Sequence, residues 1–333
     1  MKIIVDNKIP YIRPALACLG AEVVYIKGSG ISAADVRDAD ALIVRTRTRC
    51  DARLLEGSRV RFIATATIGF DHLDTAYLAK AGIAWANCPG CNASSVGQYM
   101  RSLLLLMAKD RMLDPQKATM GIVGCGHVGT AVRSVAREMG IRVLVCDPPK
   151  GHPDYVSMER IAAEADIITF HVPLTYDPPY ATYHLADARF LDSLAKRPFL
   201  VNTSRGEVVD NAALLNAMHT GKVSQAAIDT WENEPDIDRE LLDAVYIGTP
   251  HIAGYSADGK VKADNMCIDA LCRFFNLPGP GLITPPPLPE DFVFTGDPLQ
   301  LYNPKDDSLR LKNAPEKFEY LRGNYPLRRE TAQ

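Results

Sequence analysis

From residue 1 to about residue 90, short apolar runs alternate with segments whose apolar positions recur every three or four residues. The runs KIIVD, EVVYI, ALIVR, RFIATAT and IAWAN read as strands, and helical spacing fills Ile12 to Leu19, Ser32 to Asp38, Ala52 to Leu55 and Leu73 to Ala81. Gly20, Gly57 and Gly82 punctuate the helix ends. This alternation predicts a parallel, doubly wound sheet. Residues Ala93 to Lys109 follow as one long helical pattern, strongly apolar in its second half.

The alternation begins again at Thr119. An apolar run, Met120 to Val123, leads into Gly124-x-Gly126-x-x-Gly129, an amphipathic segment, a second apolar run from Val143 to Val145, and Asp147. In such a strand–helix–strand unit the first glycine permits the tight turn and the second admits a pyrophosphate close to the backbone. The third lets helix and strand pack closely. The helix N-terminus then offers its amides to phosphate, and a carboxylate at Asp147 suits ribose hydroxyls while repelling a 2′-phosphate, so NAD is expected rather than NADP. A glycine-rich turn that binds nothing is the alternative.

Further strands are expected over Asp166 to Val172, Phe199 to Thr203, Gln225 to Thr230 and Tyr246 to Gly248. Helices are expected over Met158 to Ala165, Ala188 to Ala195, Asn211 to Thr220 and Ala257 to Asn276. The whole is an α/β chain of two doubly wound parallel-sheet domains. Residues 93–255 form a Rossmann nucleotide-binding domain, and residues 1–92, completed by 256–284, a flavodoxin-like substrate domain. The stretch LPGPGLITPPPLPEDF cannot continue a helix, and the charged residues 285–333 read as a short C-terminal appendage.

Composition narrows the function classes. Of 333 residues 47% are apolar and 23% charged, enough for two cores in a soluble chain. The formal net charge of -3 supplies no basic field for nucleic acid or acidic lipid, and the longest strongly apolar run, Leu103 to Ala108, is too short to span a bilayer. A cytoplasmic protein is expected. Eight scattered cysteines read as reduced thiols. Cys88-Pro-Gly-Cys91 could be a redox pair or half of a zinc site, but no second pair accompanies it, and no metal is expected.

In a Rossmann domain the chemistry sits past the carboxyl ends of the strands. Three polar residues stand there: Arg205 after FLVNTS, Glu234 in DTWENEP and His251 in GTPHIAG. They suit hydride transfer from a secondary alcohol, with histidine taking the hydroxyl proton, glutamate fixing its tautomer and arginine gripping a carboxylate. Glu232 competes with Glu234, and His251 could be a loop histidine bonded only to backbone. VRTRTRC gathers guanidinium and hydroxyl donors that suit a phosphorylated acid, or a solvated basic strand end.

The motifs GIVGCGHVG, HVPL, LVNTSRGEVVD, DTWENEP and PHIAGYS resemble those of the NAD-dependent D-2-hydroxyacid dehydrogenases over about residues 1 to 280. MKIIVDNKIPY, ATATIGFDHLD, CPGCNA, VCDPP, GTPHIAGYSADGK and YLRGNYPLRRE resemble one branch of that family, which oxidises 4-phospho-D-erythronate to its 2-oxo acid in vitamin B6 synthesis. The resemblance implies catalysis by Arg205, Glu234 and His251. It implies NAD contacts from Gly124, Gly126, His127, Val128, Gly129, Asp147, Val172 through its backbone, Thr203, Asp229 and Gly254. It also implies substrate contacts from Thr46, Thr67 and Tyr255, with Arg45 beside them, while His171 positions backbone. Thr46 stands where serine is common in the family. Residues 285–333 match a dimerisation region in shortened form, so a homodimer is expected. The rival readings are a dehydrogenase of 3-phosphoglycerate or of a short acid such as lactate or glyoxylate, and an NADH-sensing binding protein.

Overall fold

In the computed structural model, which describes residues 1–332, the apolar runs form strands that are buried inside the sheets and only half-buried at the edges of the first sheet, Glu22–Ile26 and Ala84–Ala86. The chain divides into two units, residues 1–92 with 256–290 and residues 93–255 with 291–332. The first holds five parallel strands, β1 (Lys2–Asp6), β2 (Glu22–Ile26), β3 (Ala41–Val44), β4 (Phe62–Thr65) and β5 (Ala84–Ala86), in the order β2-β1-β3-β4-β5. This is the flavodoxin-like order, with its direction reversing between β1 and β3.

Adjacent residues of these strands serve opposite cores. Ile3, Val5 and Ile43 face one cluster with Cys267 and Leu271, whereas Ile4, Leu42 and Ile63 face another with Leu54 and Leu78. A parallel sheet covered by helices on both faces needs apolar residues at every position, which is why these strands read as unbroken runs rather than as alternation.

The second unit holds six parallel strands: β6 (Thr119–Val123), β7 (Arg142–Cys146), β8 (Ile167–Phe170), β9 (Phe199–Asn202), β10 (Gln225–Ile228) and β11 (Ile247–Gly248). Their order is β7-β6-β8-β9-β10-β11, reversing between β6 and β8. The helix Ala93–Lys109 buries Val96, Tyr99, Met100, Leu103, Leu104 and Met107 against one face of this sheet. Asp210 caps the helix Asn211–His219 by accepting from the Ala213 amide at 2.9 Å.

Three helices escape the sequence pattern: Arg239–Ala244, Pro304–Asn313 and Phe318–Gly323. The last two lie in the stretch expected as an appendage. Residues 291–332 instead belong to the second unit, with Leu311 and Phe318 fully buried in one of its cores and Tyr302 in the other. The segment is poor in apolar residues overall, but the few it has are placed inward.

Arg328, 3% exposed, donates to the Ser95 and Ile252 carbonyls at 2.6 and 3.2 Å and to Gln98 at 2.8 Å. Its guanidinium carbon lies 3.7 Å from the centre of the Tyr302 ring. No helix of the described residues is long and apolar enough to cross a membrane.

Because Phe318 fills a core position, Phe318→Ala is expected to lower unfolding stability by about 3–5 kcal/mol. Urea denaturation checks this; a loosely attached tail predicts no change.

Candidate active site

The glycine loop of the second unit is shaped by contacts that exclude side chains. Gly124 has a φ of 86°, and a Cβ there would lie 2.5 Å from the His171 carbonyl and 2.7 Å from a Val172 methyl. A Cβ on Gly129 would lie 2.0 Å from the Gly124 carbonyl oxygen, so the loop can close on the helix only if both residues are glycine. Gly126 is different, since nothing lies within 4 Å of its missing Cβ.

Gly126, His127 and Val128 are exposed or half-exposed at the start of the helix His127–Glu138, whose N-terminus has no side-chain cap. Open space over Gly126 beside uncapped amides is what a pyrophosphate requires, and the donor set fits a dinucleotide. Asp147, just past β7, accepts from the Cys125 amide at 2.8 Å, and Lys150 donates to the Cys125 carbonyl.

Past β8, His171 bridges two hydroxyls, Thr169 at 2.9 Å and Thr203 at 3.2 Å. Burial pushes its pKa down to about 3, so it is neutral and acts by hydrogen bonding alone.

His251, Glu234 and Asp229 form the polar centre of this unit. Asp229 is 1% exposed, and its carboxylate accepts from the Thr249 hydroxyl (2.6 Å) and from the amides of Ile252 (2.7 Å) and Ala253 (2.9 Å). Its carbonyl takes the His251 amide at 2.8 Å. Burial raises the Asp229 carboxyl above its ordinary value, against the opposing pull of His251 and these hydrogen bonds. Residue 229, expected as a cofactor contact, thus also holds the turn that carries the histidine. Gly254 and Tyr255 complete that turn, where the Tyr255 amide donates to the Ile252 carbonyl at 2.9 Å.

His251 itself has a φ of 56°. Its Nδ1 meets both oxygens of Glu234, at 2.9 and 3.1 Å, while its Nε2 has no hydrogen-bond partner among the described residues. Glu234 also accepts from the Trp231 amide at 3.0 Å. Burial pushes the Glu234 carboxyl up, but the His251 bond and charge, the Trp231 amide and the Arg322 guanidinium outweigh it and hold the group below its ordinary value. Glu232, the competing carboxylate, is bonded to His184 at 2.7 Å and to the Asn211 amide at 2.9 Å.

Arg205 uses one nitrogen on the Ser204 carbonyl at 2.8 Å. The following Gly206 seats this segment directly on the DTWENEP loop, where a Cβ would come within 1.9 Å of the Trp231 carbonyl.

Arg322 was not expected here. Its Nε donates to the Tyr255 hydroxyl at 3.0 Å, and its Nη1 stands 3.9 Å from Glu234. The only sequence signal was its place in YLRGNYPLRRE.

The first unit carries its own set. Thr46 and Thr67 each lie two residues past a paired position, Val44 in β3 and Thr65 in β4, so they emerge side by side at the strand ends. Thr67 donates to the Gly69 carbonyl at 2.8 Å, and Arg45 to the Lys8 carbonyl at 3.1 Å; Thr46 is exposed. All eight cysteines are free. Cys88 lies 3.6 Å from Cys267, sulfur to sulfur, and burial pushes the Cys91 thiol up to about 12.

With fold and site in place, the class is defined: residues 96–253 match the D-isomer specific 2-hydroxyacid dehydrogenase NAD binding domain. Erythronate-4-phosphate dehydrogenase of Bacteroides thetaiotaomicron is 54% identical over 99% of this chain and 97% of its own. The chain therefore belongs to the erythronate-4-phosphate dehydrogenases within that class. Among solved structures, D-lactate dehydrogenase of Aquifex aeolicus complexed with NAD and lactic acid superposes with a TM-score of 0.69 at 24% identity, covering 83% of this chain and 96% of that one. NAD+-bound 3-phosphoglycerate dehydrogenase of Entamoeba histolytica gives 0.71 at 25% identity, over 83% and 95%.

One titration follows from the first unit. Asp264 accepts from the Tyr11 amide at 3.1 Å, and burial pushes its carboxyl up to about 7 against that bond and the charges of Arg45 and Lys260. A raised carboxyl favours the folded state in its protonated form. Its contribution therefore falls as pH rises from the ordinary value of 3.8 to about 7, and is level above that. Asp264→Asn is expected to remove this decline, as read by thermal denaturation of both proteins between pH 4 and 8; an unchanged slope counts against the assignment.

Proposed function

We propose that the chain oxidises 4-phospho-D-erythronate to 2-oxo-3-hydroxy-4-phosphobutanoate, with NAD as cofactor, in pyridoxal 5′-phosphate biosynthesis. The observation that carries the chemistry is the His251–Glu234 pair. With Nδ1 committed to a carboxylate held in its ionised form, the ring proton stays on that nitrogen, and Nε2 is left as the base that takes the substrate hydroxyl proton. NAD, when held by the residues named below, would supply the acceptor for the hydride that leaves C2.

The residues proposed to hold the cofactor are Gly124, Gly126, His127, Val128 and Gly129 at the pyrophosphate and Asp147 at the ribose. Val172, Thr203, Asp229 and Gly254 are proposed to line the remainder. Arg205 has guanidinium donors left over from its Ser204 bond and is proposed to grip the substrate carboxylate. Thr46, Thr67, Arg45 and Tyr255 are proposed to bind the remaining polar groups of the acid. In this reading residues 1–92 with the returning helix are the substrate-binding domain, residues 93–255 are the NAD-binding domain, and the protein is a cytoplasmic homodimer.

Turnover of the purified protein with NAD tests the reading, with 4-phospho-D-erythronate, 3-phosphoglycerate and D-lactate in parallel, each with and without a 2-oxo acid acceptor. Selective turnover of phosphoerythronate is expected. Preference for another acid removes the assignment to vitamin B6 synthesis, and NADH binding without turnover of any acid points to a sensor. His251→Ala is expected to lower kcat by about 10²–10⁴-fold, and Glu234→Gln by at least about tenfold, with NADH affinity retained in both; full activity in His251→Ala removes the base assignment.

A further inference from the structure

The motif YLRGNYPLRRE resembles a phosphoerythronate-specific sequence, yet the reaction as described uses none of its residues. The structure gives one of them a place. The helix Phe318–Gly323 is fixed in the second unit by Phe318 in its core, and Arg328 locks the chain that follows. Arg322 projects from this fixed base.

Its Nε donates to the Tyr255 hydroxyl at 3.0 Å, and its guanidinium carbon lies 5.9 Å from the centre of the Tyr255 ring. Its Nη1 lies 3.9 Å from Glu234 and 3.9 Å from Glu319, beyond hydrogen-bond reach of either. The side chain is only 22% exposed. A guanidinium carries five N–H donors, and here four of them, on Nη1 and Nη2, have no hydrogen-bond acceptor among the described residues. Glu234 and Glu319 balance its charge at 3.9 Å but leave these donors without an acceptor, which an anion with several oxygens would supply.

A role confined to holding Tyr255 needs one donor, which a shorter side chain could supply. The planar fork of two nitrogens without a hydrogen-bond acceptor among the described residues matches a tetrahedral oxyanion. Arg322 lies outside residues 96–253, the part matched to the wider class, and inside the 99% matched by relatives named for a phosphorylated substrate.

We propose that Arg322 is a specificity-determining residue whose Nη nitrogens bind the phosphate of the 2-hydroxy acid, beside the Tyr255 hydroxyl. This rests on the reading of the substrate given above. It places phosphate recognition in the C-terminal segment, away from the glycine loop that serves the cofactor.

The test measures kcat and KM for 4-phospho-D-erythronate and for D-erythronate in wild type, Arg322→Lys and Arg322→Gln, with NADH binding followed by fluorescence in each. Wild type is expected to prefer the phosphorylated acid strongly. In Arg322→Gln that preference, as the ratio of kcat/KM values, is expected to fall by about a hundredfold, chiefly through KM for the phosphorylated acid. Arg322→Lys keeps the charge without the fork and is expected to recover part of the loss. Equal losses on the two acids, or a fall in kcat with a displaced pH profile and unchanged KM, overturn the proposal and leave Arg322 as a support for Glu234 and Tyr255. If Arg322→Gln no longer binds NADH, Arg322→Lys decides: a wild-type preference ratio there overturns the proposal, and a reduced one supports it. A wild-type protein that does not distinguish the two acids refutes the substrate reading itself, before any variant is compared.

Discussion

The second unit depends on a buried carboxylate that, among the described residues, faces no cation at hydrogen-bond distance. Asp229 sits at the end of β10 with three donors on its two oxygens, and all three come from residues 249 to 253. The turn they enclose carries His251 in a left-handed backbone conformation, which for a residue other than glycine costs on the order of 1–3 kcal/mol. Backbone and side chain of one aspartate together overcome that cost. The imidazole is thereby aimed at Glu234, and Glu234 is held in turn by the Trp231 amide two residues beyond Asp229. Position 229 therefore holds the turn that presents His251 to Glu234.

The strands were legible because a parallel sheet buried on both faces writes itself as unbroken apolar runs. KIIVD coincides with β1, EVVYI with the half-buried edge strand β2, and Ala93–Lys109 is a helix over its full expected span. The helix Arg239–Ala244 was hidden by its brevity, since RELLDA offers less than two turns of periodicity. The C-terminal helices were hidden by composition, although Asn303 ahead of a proline, with acids in the first turn and bases in the last, is a local start-and-stop signal. What no local pattern contains is that Leu311 and Phe318 complete a core begun at Val123.

The site was legible to the extent that strand ends mark it. Arg205, Glu234 and His251 each follow a strand of the Rossmann sheet, so a rule about strand termini reaches them. Between Glu232 and Glu234 the motif resemblance favoured Glu234, and the backbone path sends Glu232 to His184 and Glu234 to His251. Arg322 follows no strand. Its nearness to Tyr255 is a tertiary fact alone.

The order in which the chain contributes to its two units bears on how the protein is made. Residues 93–255 carry all six strands of the second sheet, yet one of its cores still lacks Leu311 and Phe318 when they have been synthesised. The intervening 256–290 belong to the other unit. On the ribosome the nucleotide-binding sheet therefore spends seconds with part of its apolar surface uncovered, and it becomes a finished object only as the last few dozen residues emerge. A chain that stops early forfeits more than a tail: it leaves the ribosome with an open core, and chaperones and proteases act on such species.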